Sequence, residues 1–168
     1  MGDFEAFFAE HSRPVWNYLR RLTGDPDRAA DLFQRSFLKA WSRFGSRTPG
    51  HERSWIFTIA VNQARDDMRR RKRDPLRPAT ADALRGRAAE PAMTPEDREL
   101  LREVLAGLEE LPERQRELFL LVRYHGFTFA EAAAVADVGV SAAKMAVARA
   151  HEKLVRLLSG RLHLGSFL

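Results

Sequence analysis

The segment Ser54–Arg73 places the tightest constraint on the fold, because its apolar side chains repeat with the period of an α-helix. One face of such a helix would be buried in a core, and it carries Phe57, Ala60, Val61, Ala64 and Met68. The opposite face carries Asn62, Asp66, Arg69 and Arg73. The segment therefore predicts a helix that is buried on one side and polar on the other.

The same segment ends in five adjacent cations, Arg69–Arg73. Cations this close repel one another, so the run needs either open solvent or a polyanion beside it. A nucleic-acid backbone would satisfy the second condition. A solvated surface helix, whose C-terminal cations favour the helix dipole, would satisfy the first. The segment by itself leaves both interpretations open.

The composition narrows the class of protein. The 168 residues are 45% hydrophobic and 10% aromatic, which is enough for packed cores, and the net charge of +5 favours an anionic partner. The chain has no cysteine and its five histidines show no ligand spacing, so we expect neither a metal nor another cofactor. No apolar stretch approaches membrane-spanning length and Met1–His11 is not a signal peptide, so we expect a soluble, cytoplasmic protein without membrane insertion.

Two further helices are predicted ahead of this segment. Apolar residues recur at helical spacing over Asp3–Leu22, where Pro14 marks a kink or a junction between two helical pieces. After a turn rich in helix-breaking residues, Asp27 can cap a second helix that runs to about Phe44. Trp41 fits the apolar stripe of this second helix, so we expect its side chain in the core.

A change in composition divides the chain at residues 74–93, which carry three prolines and scattered charges without sustained periodicity. This composition predicts a flexible linker. Before it, residues 1–73 share enough aromatic side chains for one helical bundle. After it, helical periodicity returns over residues 94–160, and residues 161–168 are expected to form a frayed tail. The predicted fold is therefore all-α, with two small helical domains joined by the linker.

The second predicted domain has four helices. Thr94 can cap the first of them, with Pro95 at the first helical position, and this helix continues until Pro112. The next helix covers Glu113–His125 and stops at Gly126. The last two helices are the ones whose spacing suggests a function.

These last two helices, Thr128–Val138 and Val140–Leu158, are joined by a very short turn around Asp137–Gly139, which is the helix-turn-helix pattern. The core stripe of the second helix is Ala143, Val147, Ala150, Leu154 and Leu158. The side chains that lie away from the core, where a major groove would be read, are Lys144, Met145, Ala148, Arg149 and Glu152. Any helical hairpin can show this spacing. Two DNA-suited helices on opposite sides of a linker, however, favour two contacts on one duplex.

Four motifs stand in a fixed order along the chain: DRAADLFQRSFLKAW, SWIFTIAVNQARDDMRRRKR, LPERQRELFLLVRYHGFTFAEAAAVADV and KMAVARAHEKL. Together they resemble the extracytoplasmic-function (ECF) sigma factors of bacterial RNA polymerase, and the resemblance covers about Asp3–Leu158. It implies a promoter-specificity subunit that works with core RNA polymerase on promoter DNA and performs no chemistry itself. It also implies an anti-sigma factor as a partner, one that covers the same surfaces.

The resemblance further implies a role for individual residues. Asp31 and Gln34 match positions that hold the clamp helices of the polymerase's largest subunit. Asn62 and the Phe44–Ser54 loop match the site that captures a flipped base of the minus-ten element. The positions that follow phosphates are matched by Arg69, Arg70 and Arg73. The positions that read the minus-thirty-five element are matched by Lys144, Met145, Ala148 and Arg149.

Two other classes of protein stay open when the residues are considered without the resemblance. One is a stand-alone helix-turn-helix regulator, whose N-terminal bundle serves dimerisation or sensing. The other is a nucleic-acid enzyme, for which the sequence shows no nucleophile, phosphate-cradling loop or metal cluster, so we expect no enzyme. Asp66 and Asp67 could suggest a nuclease, but adjacent helical residues point about 100° apart. We expect Asp66 to pair with Arg69 or Arg70 instead.

Overall fold

A computed structural model describes residues 2–76 and 94–165, without the side chains of Asp97 and of residues 161–165. All the regular elements in these residues are helical, and the chain divides into two compact units, Met1–Arg87 and Ala88–Leu168. The all-α fold with two helical domains is therefore confirmed. Most of the predicted linker, residues 77–93, lies outside the described part of the chain.

The described part of the N-terminal unit consists of three long helices. They are α1 (Gly2–Thr23), α2 (Pro26–Ser42) and α3 (Glu52–Arg73), and a short 3-10 turn covers Phe44–Ser46. The helices enclose a core of large side chains, and those with the least exposed surface include Val15, Tyr18, Leu19, Leu32, Ile56, Phe57 and Val61. Burial of such apolar surface is the main favourable contribution to folding, so this core fixes how the three helices pack.

The helix α1 continues through Pro14, so the predicted junction between two helical pieces is wrong. A proline inside a helix has no N–H and therefore removes one hydrogen bond from the helix. The neighbouring side chains compensate for this loss because they are buried in the core, where Val15, Tyr18 and Leu19 are 0% exposed.

The N-cap of α2 is Asp25, not Asp27 as predicted. The Oδ1 atom of Asp25 accepts hydrogen bonds from the backbone N–H of Asp27 at 2.9 Å and of Arg28 at 3.2 Å. Pro26 then occupies the first helical position, where its missing N–H costs nothing. The helix ends before Phe44, which lies in the 3-10 turn.

Over its described residues the C-terminal unit contains four α-helices, as predicted: α4 (Pro95–Glu109), α5 (Glu113–Phe119), α6 (Phe129–Ala136) and α7 (Val140–Gly165). The predicted helix over residues 113–125 widens after α5 into a π-helical turn, Leu120–Tyr124, where the His125 N–H donates to the Leu120 carbonyl at 2.9 Å. Gly126 then ends it with a φ of +70°, a left-handed conformation that favours glycine. The helix α7 extends past the predicted boundary at residue 160, and residues 166–168 of the predicted tail lie outside the described residues.

Candidate nucleic-acid and partner interfaces

The basic end of α3 presents most of its cations to solvent. The exposed ones are Arg69, Arg70, Lys72 and Arg73, whereas Arg71 is half-buried. Asp66 forms an exposed ion pair with Arg69, with 3.6 Å between Oδ1 and Nη1, which confirms one of the two expected pairings. The three predicted phosphate-contacting arginines therefore lie on the accessible surface of one helix end.

Asn62 is also exposed, and it precedes Arg69 by seven residues on the same helix. Seven residues are about two helical turns, so these two side chains share one face of α3. In the loop before α3, the Arg47 guanidinium lies 3.8 Å from the centre of the Phe44 ring and donates to the Phe44 carbonyl at 3.0 Å. Arg47 and Phe44 thus give the start of this loop a defined conformation.

Asp67 is largely buried and stands at the centre of an ion-pair cluster that the sequence did not predict. Its Oδ2 atom accepts from Arg28 of α2, at 3.2 Å from Nε and 2.8 Å from Nη2, and from Arg71 Nε at 3.0 Å. Arg35 Nη2 lies 3.7 Å from the other carboxylate oxygen. Burial raises the pKa of Asp67, but the hydrogen bonds and charges of Arg28 and Arg71 outweigh burial and leave the pKa below its usual value. Asp67 is therefore held as an anion.

An apolar groove with a volume of about 700 Å³ lies between α1 and α2, and Gln34 is one of the residues that line it. Its aromatic walls are Phe4, Phe8, Trp16, Phe33, Phe37 and Trp41. The expectation that Trp41 is in the core is wrong, because this residue is 52% exposed and its ring meets Phe4 edge-on. Leu38, also in the groove, is 60% exposed. Exposed apolar surface of this extent is typical of a site that receives a partner.

Asp31 and Gln34, the two predicted polymerase contacts, differ in their surroundings. Asp31 is half-buried and forms an ion pair with Arg35 one turn later, with 3.1 Å between Oδ2 and Nε. Gln34 is exposed in the groove. Asp31 would therefore meet a partner as part of an ion pair, whereas the amide of Gln34 is directly accessible.

The helix-turn-helix is fixed at both ends of α6. Thr128 and Glu131 form a capping box, in which each side chain accepts from the other residue's backbone N–H, at 3.1 Å and 2.8 Å. At the other end, Asp137 adopts a left-handed conformation with φ 52° and ψ 54°. Arg114 of α5 donates to the Ala136 carbonyl at 3.1 Å, which satisfies one of the carbonyls at the end of α6. These contacts set the direction in which α7 leaves the turn.

The helix α7 has a buried face and an exposed face, as predicted. Ala143, Val147, Ala150 and Leu154 are buried, and Leu158 is half-buried. The predicted reading residues are all exposed: Lys144, Met145, Ala148 and Arg149. This exposed face is available for contact with a DNA groove.

The described residues show neither a membrane span nor a metal centre. No helix in the described residues is long and apolar enough to cross a membrane. In the same part of the chain, no group of three or more histidine, aspartate or glutamate side chains is placed to hold a metal ion. Asp66 and Asp67 are held by different arginines, as the ion pairs above show.

Comparison with known families assigns the two units to one class of protein. Residues 7–74 match Sigma-70 region 2, and residues 101–154 match Sigma-70, region 4. The first match contains Asn62, the basic end of α3 and every groove-lining residue except Phe4. The second contains α6, the turn and the exposed positions Lys144–Arg149 of α7. A chain with both regions in this order is a sigma factor of RNA polymerase.

Two relatives identify the kind of sigma factor. The chain is 36% identical over 138 residues to the ECF RNA polymerase sigma factor EcfG of Rhodopseudomonas palustris (strain TIE-1). The aligned stretch covers 82% of this chain and 75% of that protein. It is 35% identical over 165 residues to the RNA polymerase sigma factor CarQ of Myxococcus xanthus, which covers 96% of this chain and 91% of that protein. The chain belongs to the ECF RNA polymerase sigma factors, so it acts in transcription initiation as a sigma factor and not as a stand-alone regulator.

Two solved structures have the same fold. One is the sigma factor RpoE in complex with the anti-sigma factor NepR from Bartonella quintana, with a TM-score of 0.76, 25% identity and coverage of 95% of this chain and 98% of that chain. The other is CnrH in complex with the cytosolic domain of CnrY, with a TM-score of 0.68, 26% identity and coverage of 94% and 88%. Both similarities extend over nearly the whole chain.

Proposed function

We propose that three surfaces divide the work of this sigma factor. A region-2-like domain, residues 1–73, binds polymerase through α2 and the minus-ten element through α3. A region-4-like domain, residues 94–160, binds the minus-thirty-five element through α7. The protein performs no chemistry itself and works in the cytoplasm with the polymerase. The observation that carries this proposal is that the predicted DNA-contacting residues on α3 and α7 are exposed on the two regions that match the family.

The polymerase surface is the groove between α1 and α2. Its exposed apolar side chains, Leu38 and Trp41, offer surface that a helix of the polymerase clamp would bury, and Gln34 supplies a polar contact beside them. Burial of apolar surface in the centre of an interface supplies most of its affinity. Asp31 and Arg35 supply a charged pair on the same helix.

The promoter surfaces differ in what they contact. Asn62 holds a base that is extruded from the melted minus-ten element, and the arginines at the end of α3 follow the phosphates beside it. Unstacking a base costs a few kcal/mol, so a pocket that holds the extruded base favours the melted state. Lys144 and Arg149 donate to base edges of the minus-thirty-five element, and Met145 and Ala148 make apolar contacts there.

An anti-sigma factor is the third expected partner. RpoE and CnrH, the two similar solved structures, are both bound to a second protein, and in RpoE that protein is an anti-sigma factor. We infer that such a partner covers the α1–α2 groove of this chain. An anti-sigma factor and core polymerase would then exclude one another.

Co-purification with core polymerase tests the proposal. Asp31→Arg combined with Gln34→Ala should abolish co-purification, because the variant reverses one charge and removes one polar contact on the proposed surface, while circular dichroism should show unchanged helicity. Asp27→Arg is a matched control, since this exposed carboxylate lies on α2 but belongs neither to the groove nor to the Asp31–Arg35 pair. Unchanged polymerase binding by the double variant would refute the proposed docking surface.

A further inference from the structure

The five cations at the end of α3 are not equivalent. Arg71 has a side chain that is 35% exposed, and its Nε donates to Asp67 at 3.0 Å. Arg70, its neighbour, is exposed, and no ion pair of Arg70 is found in the part of the chain that the structure describes. The repulsion within the run is therefore relieved at Arg71 by an internal carboxylate.

The same carboxylate also joins two helices. Asp67 lies near the end of α3 and Arg28 near the start of α2, and their side chains are only 16% and 17% exposed. Two nitrogens of Arg28 donate to one oxygen of Asp67, at 3.2 Å and 2.8 Å. Charge-assisted hydrogen bonds of this kind are among the stronger ones in proteins. Asp67 thus fixes the basic end of α3 against α2.

We propose that Asp67 is a positioning residue for promoter binding: it holds the basic end of α3 in place and removes Arg71 from the cations that meet phosphate. The proposal rests on the DNA contact proposed for α3. Arg71 shares this largely buried carboxylate with Arg28, so the cluster keeps a positive charge, but the Nε–H of Arg71 is already bonded to Asp67. A cation that keeps such a bond makes no phosphate contact and therefore displaces no counterion from DNA. Arg71 then stabilises the fold, and its neighbours provide the contact with DNA.

Asp66 differs from Asp67 because its ion pair is exposed to solvent. Its pair with Arg69 is 3.6 Å long, and the two side chains are 48% and 71% exposed. An exposed pair is weak and is screened by salt, so Arg69 can leave Asp66 for a phosphate at little cost. Arg71 would have to leave a shorter and less accessible pair.

The experiment measures promoter binding by holoenzyme, formed from core polymerase and this sigma factor, at several salt concentrations. The salt slope is the slope of the logarithm of the binding constant against the logarithm of the salt concentration. Arg70→Ala should reduce its magnitude by about one unit, because one phosphate contact is lost. Arg71→Ala should leave the slope unchanged and lower the melting temperature of the sigma factor. Arg71→Gln, which keeps the apolar stem and removes the charge, gives the same test if Arg71→Ala does not fold.

A double-mutant cycle measures the link with Asp67. The effects of Arg71→Ala and Asp67→Asn on the melting temperature should be less than additive, because both variants remove the same ion pair. The effects of Arg71→Ala and Asp66→Asn should add. Additive effects for Asp67 as well would overturn the positioning role.

The salt slopes distinguish a failure of the role proposed for Asp67 from a failure of the DNA contact proposed for α3. If Arg71→Ala reduces the slope as much as Arg70→Ala does, Arg71 contacts phosphate and the role proposed for Asp67 is wrong, while the DNA contact of α3 stands. If the slope is unchanged in these two variants and also in Arg69→Ala combined with Arg73→Ala, α3 does not contact phosphate. That second result would overturn the DNA contact proposed for α3, and the role of Asp67 in promoter binding with it.

Discussion

The two units of this sigma factor are built on different kinds of core. In the N-terminal unit, large rings fill the space between long helices, as where Tyr18 and Phe57 meet edge-on with 5.5 Å between ring centres. In the C-terminal unit, fully buried alanines on α6 and α7, such as Ala132 and Ala143, replace such rings. Small side chains let two helices approach closely, whereas large ones leave a groove where they do not all interlock. The first core leaves an apolar groove open to solvent, and the second holds α7 firmly against α6.

The two units also differ in how the cations on their surfaces are spaced. The end of α3 concentrates five cations, and aspartates on the same helix pair with two of them, Arg69 and Arg71. On α7 the cations Lys144 and Arg149 stand apart, and neither forms an ion pair in the described residues. Dense charge suits phosphate, which carries no sequence information, and isolated donors suit base edges. We therefore expect α3 to anchor the promoter and α7 to read it.

The largest expected effect is on the aromatic core. Phe57 is 0% exposed, so Phe57→Ala should destabilise the N-terminal unit by about 3–5 kcal/mol, through lost burial and the cavity left behind. If the units fold independently, calorimetry should show one transition shifted strongly and the other unchanged. Limited proteolysis of the wild type should likewise cut within residues 74–93 and leave two helical fragments.

Phe57→Leu is the matched control, because it keeps most of the volume and should cost less than the alanine variant. A single transition that shifts as a whole in both variants would mean that the two cores unfold together. The two units would then not have independent cores.

The next effect concerns Asp67, which acts through its charge. Asp67→Asn should lower the free energy of unfolding at neutral pH by about 1.5–3 kcal/mol, the range for hydrogen bonds to charged groups. The pKa of Asp67 is lowered in the folded state, so its contribution is present above the unfolded-state pKa of about 4 and is lost as the pH falls through the folded value. Wild type and variant should therefore converge in acid, as measured by denaturant unfolding at a series of pH values.

Asp66→Asn is the control for this experiment, because it removes the neighbouring carboxylate from an exposed pair. Such pairs contribute about 0–1 kcal/mol, so the control should show little change at any pH. A difference between wild type and Asp67→Asn that persisted in acid would show that packing, and not charge, is the contribution of Asp67.

Local periodicity predicted much of this fold and of its surfaces, since each helix and the exposed face of α7 depend on residues three or four positions apart. It missed the pair between Arg28 and Asp67, which are 39 residues apart in the sequence and meet only when α2 packs on α3. Trp41 was misplaced for a related reason: a helical stripe shows which side is apolar but not where the neighbouring helix ends. The role of each residue at DNA stays a prediction.

A smaller effect is expected at Arg149, where a substitution should change base preference and not the affinity for all promoters. Arg149→Ala should relax preference at one or two base pairs of the minus-thirty-five element by about 1–3 kcal/mol, because arginine can donate two parallel bonds to a guanine edge. Arg149→Lys is the matched control, since it keeps the charge and the salt slope but loses the paired geometry. Arg70→Ala should instead weaken all promoters about equally. A promoter library that is bound at several salt concentrations measures all three variants.

Equal loss on every promoter for Arg149→Ala would contradict its reading role. A changed base preference for Arg70→Ala would contradict the anchoring role of α3. Either result would remove the proposed contrast between the two charged surfaces.

The smallest expected effect is at Asp137. We expect this aspartate to matter through its backbone conformation, whereas Asp67 acts through its charge. Asp137 has φ 52°, a left-handed conformation that costs most residues about 1–2 kcal/mol and that aspartate tolerates better than most. Asp137→Gly removes this strain but gives the unfolded chain more freedom, so the two changes should cancel to within about 0.5 kcal/mol. Asp137→Val should destabilise the C-terminal unit, because a β-branched side chain is poorly accommodated in this conformation.

Promoter preference should be the same for wild type and Asp137→Gly, since Arg114 and the capping box still fix the position of α6. Denaturant unfolding and the promoter library measure the two outcomes on the same protein. A large loss of stability in the glycine variant would mean that the side chain of Asp137 makes a necessary contact. The turn would then depend on a polar side chain, as the end of α3 depends on Asp67, and not on backbone conformation alone.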